Sequence, residues 1–128
     1  MYQNVNNKFN FFQVFTPIDS VIVNSAGIVS DDHNWIVLAR QLTPPFLNLY
    51  KFNGTKYESN HEISLDSFAH SIAMTADSLF MVAGTEGQEV EIFKFNGTKF
   101  ISTQKLTYAS SKRRTVSITN DHKYLTVV

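Results

Sequence analysis

The chain contains no cysteine. Disulfides and thiolate metal sites are therefore excluded. It also lacks net charge: 11 basic side chains balance 11 acidic ones. Composition thus gives no argument for a nucleic-acid or anionic-membrane partner. Long hydrophobic runs are missing too. The longest, such as Trp35–Ala39, fall far short of the roughly 20 residues a membrane helix needs. The first residues show no basic segment followed by an apolar stretch, so they do not read as a secretory signal. These absences fit a cytoplasmic setting. No Gly-x-Ser-x-Gly, phosphate loop or dinucleotide fingerprint occurs.

What is present favours strands. Eleven Phe, five Tyr and many Val, Ile and Thr crowd 128 residues, about one domain. With 43% hydrophobic residues the chain can build a core. The hexapeptide Lys-Phe-Asn-Gly-Thr-Lys occurs at 51–56 and again at 94–99. Asn-Gly is a strong signal for a two-residue hairpin of type I′, with φ > 0 at both central positions. Extended stretches flank both copies, so each hexapeptide should be a hairpin tip. Asn53 and Asn96 also fit the Asn-x-Thr glycosylation pattern.

A wider repeat surrounds the hexapeptides. Ser30–Ala39, Thr75–Gly84 and Thr119–Val128 align, each with Ser or Thr first, Asp third (Asp32, Asp77, Asp121) and an aromatic sixth (Trp35, Phe80, Tyr124). Asp suits a tight turn because its carboxylate accepts the backbone N–H two residues on. The aromatic then opens an apolar strand. A period of ~40–45 residues holding four short strands is that of a β-propeller blade.

Lettered a to d from the axis outward, the chain reads d, a-b-c-d, a-b-c-d, a-b. The expected fold is all-β, a partial propeller of about 2.5–3 four-stranded antiparallel blades. It is one domain over 1–128, with units near 20–64, 68–107 and 114–128 after a d strand at 8–15. The b strands (Trp35–Ala39, Leu79–Ala83, Tyr124–Val128) are apolar on both faces, as expected where neighbouring blades cover both sides.

The segments Ser117–Val128 and Ala73–Phe100 resemble WD-repeat and YVTN-type blades, in which an Asp-containing a–b turn precedes an aromatic-aliphatic b strand. Glu91–Leu106 also resembles the epitempin-type repeat, with its aromatic-Asn-Gly turn and Gln-aliphatic pair. The departures are clear. Tyr50-Lys51 and Phe93-Lys94 stand where strand c of a WD repeat closes with Trp-Asp, and His33, Ser78 or His122 follows the turn Asp instead of Gly.

The resemblance implies a non-catalytic protein-interaction scaffold. Lys112, Arg113 and Arg114, the one basic cluster, fall in a d–a loop on the face such folds use for partners. They are the candidate partner-contact residues, facing an acidic protein or phosphate. The other loops expected on that face are Asp19-Ser20, Gln41–Pro45, Leu65–Ser67 and Glu86–Gln88, and they show no shared chemistry. No cofactor, metal or catalytic residue is indicated, and neither nucleic acid nor membrane is expected. His33 and His122 stand at equivalent repeat positions, around the ring rather than beside each other, so turn chemistry is expected of them.

Two other readings stand beside the scaffold. One is a lactonase-like propeller hydrolase, for which strands a offer Asn24, His70 and Ser117. The other is a secreted ligand-binding repeat domain with glycans at Asn53 and Asn96. Counting strands, the chain should be a fragment of a longer propeller. Two copies in a six-bladed ring would lack strand c in each shared blade. Open apolar edges should then favour self-association and poor solubility.

Overall fold

The computed structural model describes residues 1–11, 13, 24–41, 44–109 and 114–128. Among them are twelve strands and no helix. They are β1 (Tyr2–Val5), β2 (Lys8–Phe11), β3 (Asn24–Val29), β4 (Trp35–Arg40), β5 (Leu47–Phe52), β6 (Tyr57–Ile63), β7 (Ala69–Met74), β8 (Phe80–Thr85), β9 (Glu89–Phe95), β10 (Phe100–Thr107), β11 (Val116–Ile118) and β12 (Leu125–Val127). Two complete sheets run β3-β4-β5-β6 and β7-β8-β9-β10, and every neighbouring pair is antiparallel. Two further two-stranded sheets are β1-β2 and β11-β12. The expected meander order holds.

β1 corrects the reading of the first residues. Lys8 does begin a strand, but that strand pairs with a preceding one, Val5 opposite Lys8. Asn6 and Asn7 both take positive φ (53° and 61°), the type I′ signature. In the repeat alignment Asn6-Asn7 matches Gly54-Thr55, so β1 precedes its turn as β5 does. The first sheet therefore has two described strands where one was expected. β1 was hidden because Tyr-Gln-Asn-Val carries little apolar signal and the turn has no Gly.

The two hexapeptides also differ from expectation in one detail. Positive φ falls on Gly54 (99°) and Gly97 (97°) but not on Asn53 or Asn96. The central pair is Gly-Thr, with the sign pattern of a II′ turn. Asn53 flanks it: its N–H donates to the Lys56 carbonyl at 3.0 Å, and its Oδ1 accepts from the amides of Thr55 (2.9 Å) and Lys56 (3.0 Å). Asn96 does the same for Thr98 and Lys99, at 2.9 Å each. A side-chain oxygen replaces the backbone carbonyl, so the turn shifts by one residue. The remaining hexapeptide positions are used as well. Lys51 and Lys94 lie over the cross-strand rings of Trp35 (5.5 Å) and Phe80 (5.7 Å). Phe52 and Phe95 pack on Tyr57 (5.1 Å) and Phe100 (5.2 Å) across the tip. Each hexapeptide is therefore a turn, a cation–π cap and an aromatic pair.

The core lies between sheets. One cluster joins Trp35, Val37, Leu47, Leu49 and Leu65 of the first complete blade to Ile72, Met81, Phe93 and Phe100 of the second. Val82 and Val90 point the other way and meet Val116. Successive residues of β8 thus serve opposite neighbours. That is why the b strands read as apolar on both faces. Space is tight where the second blade meets β11. A Cβ built on Gly84 would lie 2.2 Å from the Arg114 carbonyl oxygen.

Two outcomes follow. Gly54→Val should lower stability by about 1–2 kcal/mol, because a β-branched residue at positive φ is strained. Gly84→Ala should cost at least as much, since the obstructing atom is backbone. Thermal melts of both against Thr55→Ala check this, and three equal melting temperatures would contradict it.

Candidate interaction face

Three congruent turns join strands a and b. In the first, Ser30 Oγ donates to Asp32 Oδ1 at 2.6 Å, and the Asn34 amide donates to the same oxygen at 3.0 Å. The Trp35 amide donates back to Ser30 Oγ at 2.9 Å. Thr75–Asp77 and Thr119–Asp121 repeat the pattern, with the amides of Leu79 and Lys123 donating to the Asp at 3.1 Å each. The residue after each Asp is left-handed: His33 (61°), Ser78 (58°) and His122 (64°). This is the turn chemistry expected of the two histidines.

Burial pushes the Asp32 carboxyl up, but hydrogen bonds from Ser30 and Asn34 outweigh it and hold the pKa below its ordinary value. The Thr75 hydroxyl, the Leu79 amide and His122 hold Asp77 low. The Thr119 hydroxyl and the Lys123 amide hold Asp121 low.

Turns of adjacent blades do touch: His122 Nε2 lies 2.8 Å from Asp77 Oδ2. The His122 ring also packs on Phe80, centroids 4.9 Å apart. A second tie recurs on the outer strands. The Tyr57 amide donates to Gln13 Oε1 at 3.1 Å, and the Phe100 amide donates to His61 Nε2 at 3.3 Å. His61 stacks on Phe100 and meets the edge of Trp35. Burial and then Lys99 push its pKa down, so the ring is neutral and Nε2 is free to accept.

The opposite face carries the d–a and b–c loops, where partner contact was expected. Lys112 and Arg113 lie outside the described residues, as do Asp19, Ser20, Leu42 and Thr43. Arg114 is half-buried, its guanidinium 4.4 Å above the Tyr108 ring. Leu65–Ser67 and Glu86–Gln88 come together. A Cβ on Gly87 would sit 3.5 Å from Ser67 Cβ.

Residues the sequence reading passed over gather here. Lys105 Nζ reaches Asp66 Oδ2 at 2.8 Å and Glu89 Oε2 at 3.9 Å. The hydrogen bond to Asp66 raises the Lys105 pKa, and the same bond lowers that of Asp66. His70, on strand a, meets Glu86 at 3.1 Å and the edge of Phe68 at 4.8 Å. Ser117 stands opposite Thr126 on β11 and is exposed. Deeper in the first complete blade, Arg40 donates to Glu62 at 3.1 Å. Asn48 bridges the two: its carbonyl accepts from Arg40 and its amide donates to Glu62 at 3.1 Å. Comparing charged residues at equivalent repeat positions, Arg40/Thr85, Asn48/Glu91 and Glu62/Lys105, was the signal that would have found these clusters. Among the described residues no group of three or more His, Cys, Asp or Glu is placed to hold a metal ion.

No known family profile and no curated protein matches the chain. Solved structures do. Hydrazine synthase from Kuenenia stuttgartiensis superposes with a TM-score of 0.66 at 13% identity, covering 90% of this chain and 32% of that one. The β-propeller domain of Cps50 (Swd1) from Myceliophteria thermophila gives 0.59 at 10% identity, covering 82% and 34%. The chain thus spans about a third of each. At such identities the likeness is one of fold. The molecule is a partial β-propeller, with two four-stranded blades and two two-stranded sheets among the described residues.

The turn aspartates give a pH dependence of definite sign. Their folded pKa values lie below the ordinary 3.8, so the native state binds fewer protons than the unfolded one near that pH. Their stabilisation is complete above the unfolded value and is lost as pH falls through the folded ones. Melting temperature should therefore drop below about pH 4, and Asp32→Asn should drop less steeply, since Asn does not titrate. Parallel acid limbs for the two proteins would contradict this.

Proposed function

We propose that the chain is a non-catalytic protein-interaction scaffold of the propeller type, binding its partner through the d–a and b–c loop face. One observation carries this reading. The polar side chains that could serve catalysis are engaged in ties between strands or blades, while the loops on one face differ from repeat to repeat. His61 and His122 bond to neighbouring blades, His70 to Glu86, and the turn aspartates to their own turns. A hydrolase would need His70 and Ser117 to act on one substrate, and their surroundings differ: a carboxylate beside one, an exposed strand position for the other.

Lys112, Arg113 and Arg114 mark the partner as acidic or phosphorylated on the contacting surface. Two other loops present Asp66 and Glu86, so the fitting surface is mixed in charge. Secretion and glycans at Asn53 and Asn96 find no comparable support. Both Oδ1 atoms hold their own turns together.

The test is site-specific photo-crosslinking in the native cell. A photoreactive residue at Ser67 or Gln88 should capture one recurrent protein, and the same residue at Thr55 or Thr98, on the opposite face, should not. Lys112→Glu/Arg113→Glu should reduce the capture several-fold. Equal capture from both faces would contradict the proposal. So would esterase or lactonase turnover that disappears in His70→Ala.

A further inference from the structure

We propose that His61 makes the seam between the two complete blades sensitive to pH: protonation of its ring releases the outer edges of these blades from each other while their inner ends stay tied.

The geometry fixes the state of the ring. His61 lies on β6, the outer strand of the first complete blade. The amide of Phe100, on the outer strand β10 of the second, donates to its Nε2 at 3.3 Å. Nε2 therefore carries a lone pair, and the one ring proton sits on Nδ1. Nδ1 lies 2.6 Å from Asn60 Oδ1 and donates to it. A second proton can enter only at Nε2. It would set one N–H against another, and two donors cannot bond. Phe100 is buried, so its amide would lose its partner where that loss is costly.

The ring also belongs to the packing of the seam. It stacks on Phe100 with centroids 6.3 Å apart and lies 5.9 Å from Trp35 in an edge contact. Trp35 in turn packs on Phe95 and Phe100 of the second blade, at 5.5 and 5.4 Å. A change at His61 thus reaches the aromatic cluster that fills the outer part of this junction.

The surroundings resist a positive charge. Burial opposes the charged ring, and Lys99, the residue before Phe100, adds repulsion, so the pKa lies below the ordinary 6.5. Glu58 and Glu62, the carboxylates of its own strand, are paired with Lys56 and Arg40. On β5, Lys51 lies over Trp35. The sign follows from the direction of the shift. Near pH 6.5 the folded protein binds fewer protons than the unfolded chain. The stabilisation is complete above that pH and is lost as pH falls through the folded value.

Equivalent positions isolate the effect to one seam. Gln13 stands where His61 stands, one repeat earlier. Its Oε1 accepts the Tyr57 amide at 3.1 Å, and its Nε2 donates to the Tyr57 carbonyl at 3.0 Å. A carboxamide does not titrate, so that junction keeps its outer tie on acidification. His122 meets a carboxylate of the neighbouring blade, Asp77, at 2.8 Å, and a proton on it makes an ion pair instead of breaking a bond. The inner end of the His61 seam is held without a titrating group: Ser25 Oγ donates to the Ala69 carbonyl at 2.6 Å. Mild acid therefore loosens one junction, and only at its rim.

Amide hydrogen exchange between about pH 7.5 and 5.5 reads this tie directly. Rates are expressed as protection, corrected for the intrinsic effect of pH on exchange. Phe100 should lose protection several-fold across that range, and Tyr57 should keep its own. In His61→Gln, which installs the residue that serves this place one repeat earlier, Phe100 should stay protected at both ends of the range. Unchanged protection of Phe100 in the wild-type protein would overturn the proposal. A parallel loss at Tyr57 would do so too, as would the same loss at Phe100 in His61→Gln. The comparison of Phe100 with Tyr57 needs only the wild-type chain, so it decides the matter even if the variant folds poorly.

Discussion

The molecule depends on a side chain that stands in for backbone. In each a–b turn, an Asp carboxylate accepts a Ser or Thr hydroxyl and an amide two residues on, and that hydroxyl accepts the amide of the residue opening strand b. All of these bonds are local, spanning two to five residues. The turn fixes the phase of strand b, and hence which of its residues face the preceding blade and which the following one. Met81 and Val82 illustrate the outcome, adjacent in sequence and buried in different clusters. The left-handed residue after the Asp costs energy in a non-Gly side chain. Here the strained position also projects a side chain toward the neighbouring turn, as His122 does toward Asp77. A Gly at that position would relax the backbone and remove the contact.

A second constraint follows from repetition. Bonds between blades recur at sequence separations of 44 or 45 residues: Gln13 to Tyr57, Ser25 to Ala69, Asn120 to Ala76, Ser71 to Val116. They lie at the inner strand, at the a–b turn and at the outer strand. Adjacent blades are thus pinned by single polar contacts at the inner strand, the a–b turn or the outer strand, with apolar side chains filling the space between. The outer strands add an irregularity at equivalent positions, between Leu49 and Tyr50 in one blade and Ser102 and Gln104 in the next. That bulge turns His61 toward the neighbouring blade, and it belongs to the repeat as firmly as the hexapeptide does.

The parts of the fold legible in the sequence were the local ones. Asp32, Asp77 and Asp121 could be read as turn residues because their bonds close within five positions. The hexapeptides announced hairpins because Gly needs no neighbour to favour positive φ. Their turn type was misread because the Asn oxygen takes over a backbone role, a choice made by the side chain and not visible in the dipeptide. β1 escaped because Asn6-Asn7 achieves with two tolerant residues what Asn-Gly signals openly. The contacts between blades escaped for a different reason. His122 and Asp77 look unrelated until the register between repeats is known. Lys105 joins Asp66 and Glu89 only because three strand ends meet on one face.

That face shows how such a fold changes its surface without changing its frame. Arg40, Asn48 and Glu62 occupy strands b, c and d of the first complete blade and form a closed polar triad. Thr85, Glu91 and Lys105 occupy the same three places in the second. The positive charge has moved from strand b to strand d, and the carboxylate from d to c. Glu91 is buried and accepts the Ser102 hydroxyl at 2.7 Å. Lys105, now at the outer strand, faces the loops and gathers Asp66 and Glu89 there. Arg40 and Glu91 are buried and paired within their own sheets, as burial requires, yet the two blades present different charges at the rim. The frame tolerates either arrangement because the pairing partners lie within one sheet, and the contacts between blades run through other residues. The loop face can therefore diversify blade by blade while the Asp turns and outer-strand ties keep the blades in register.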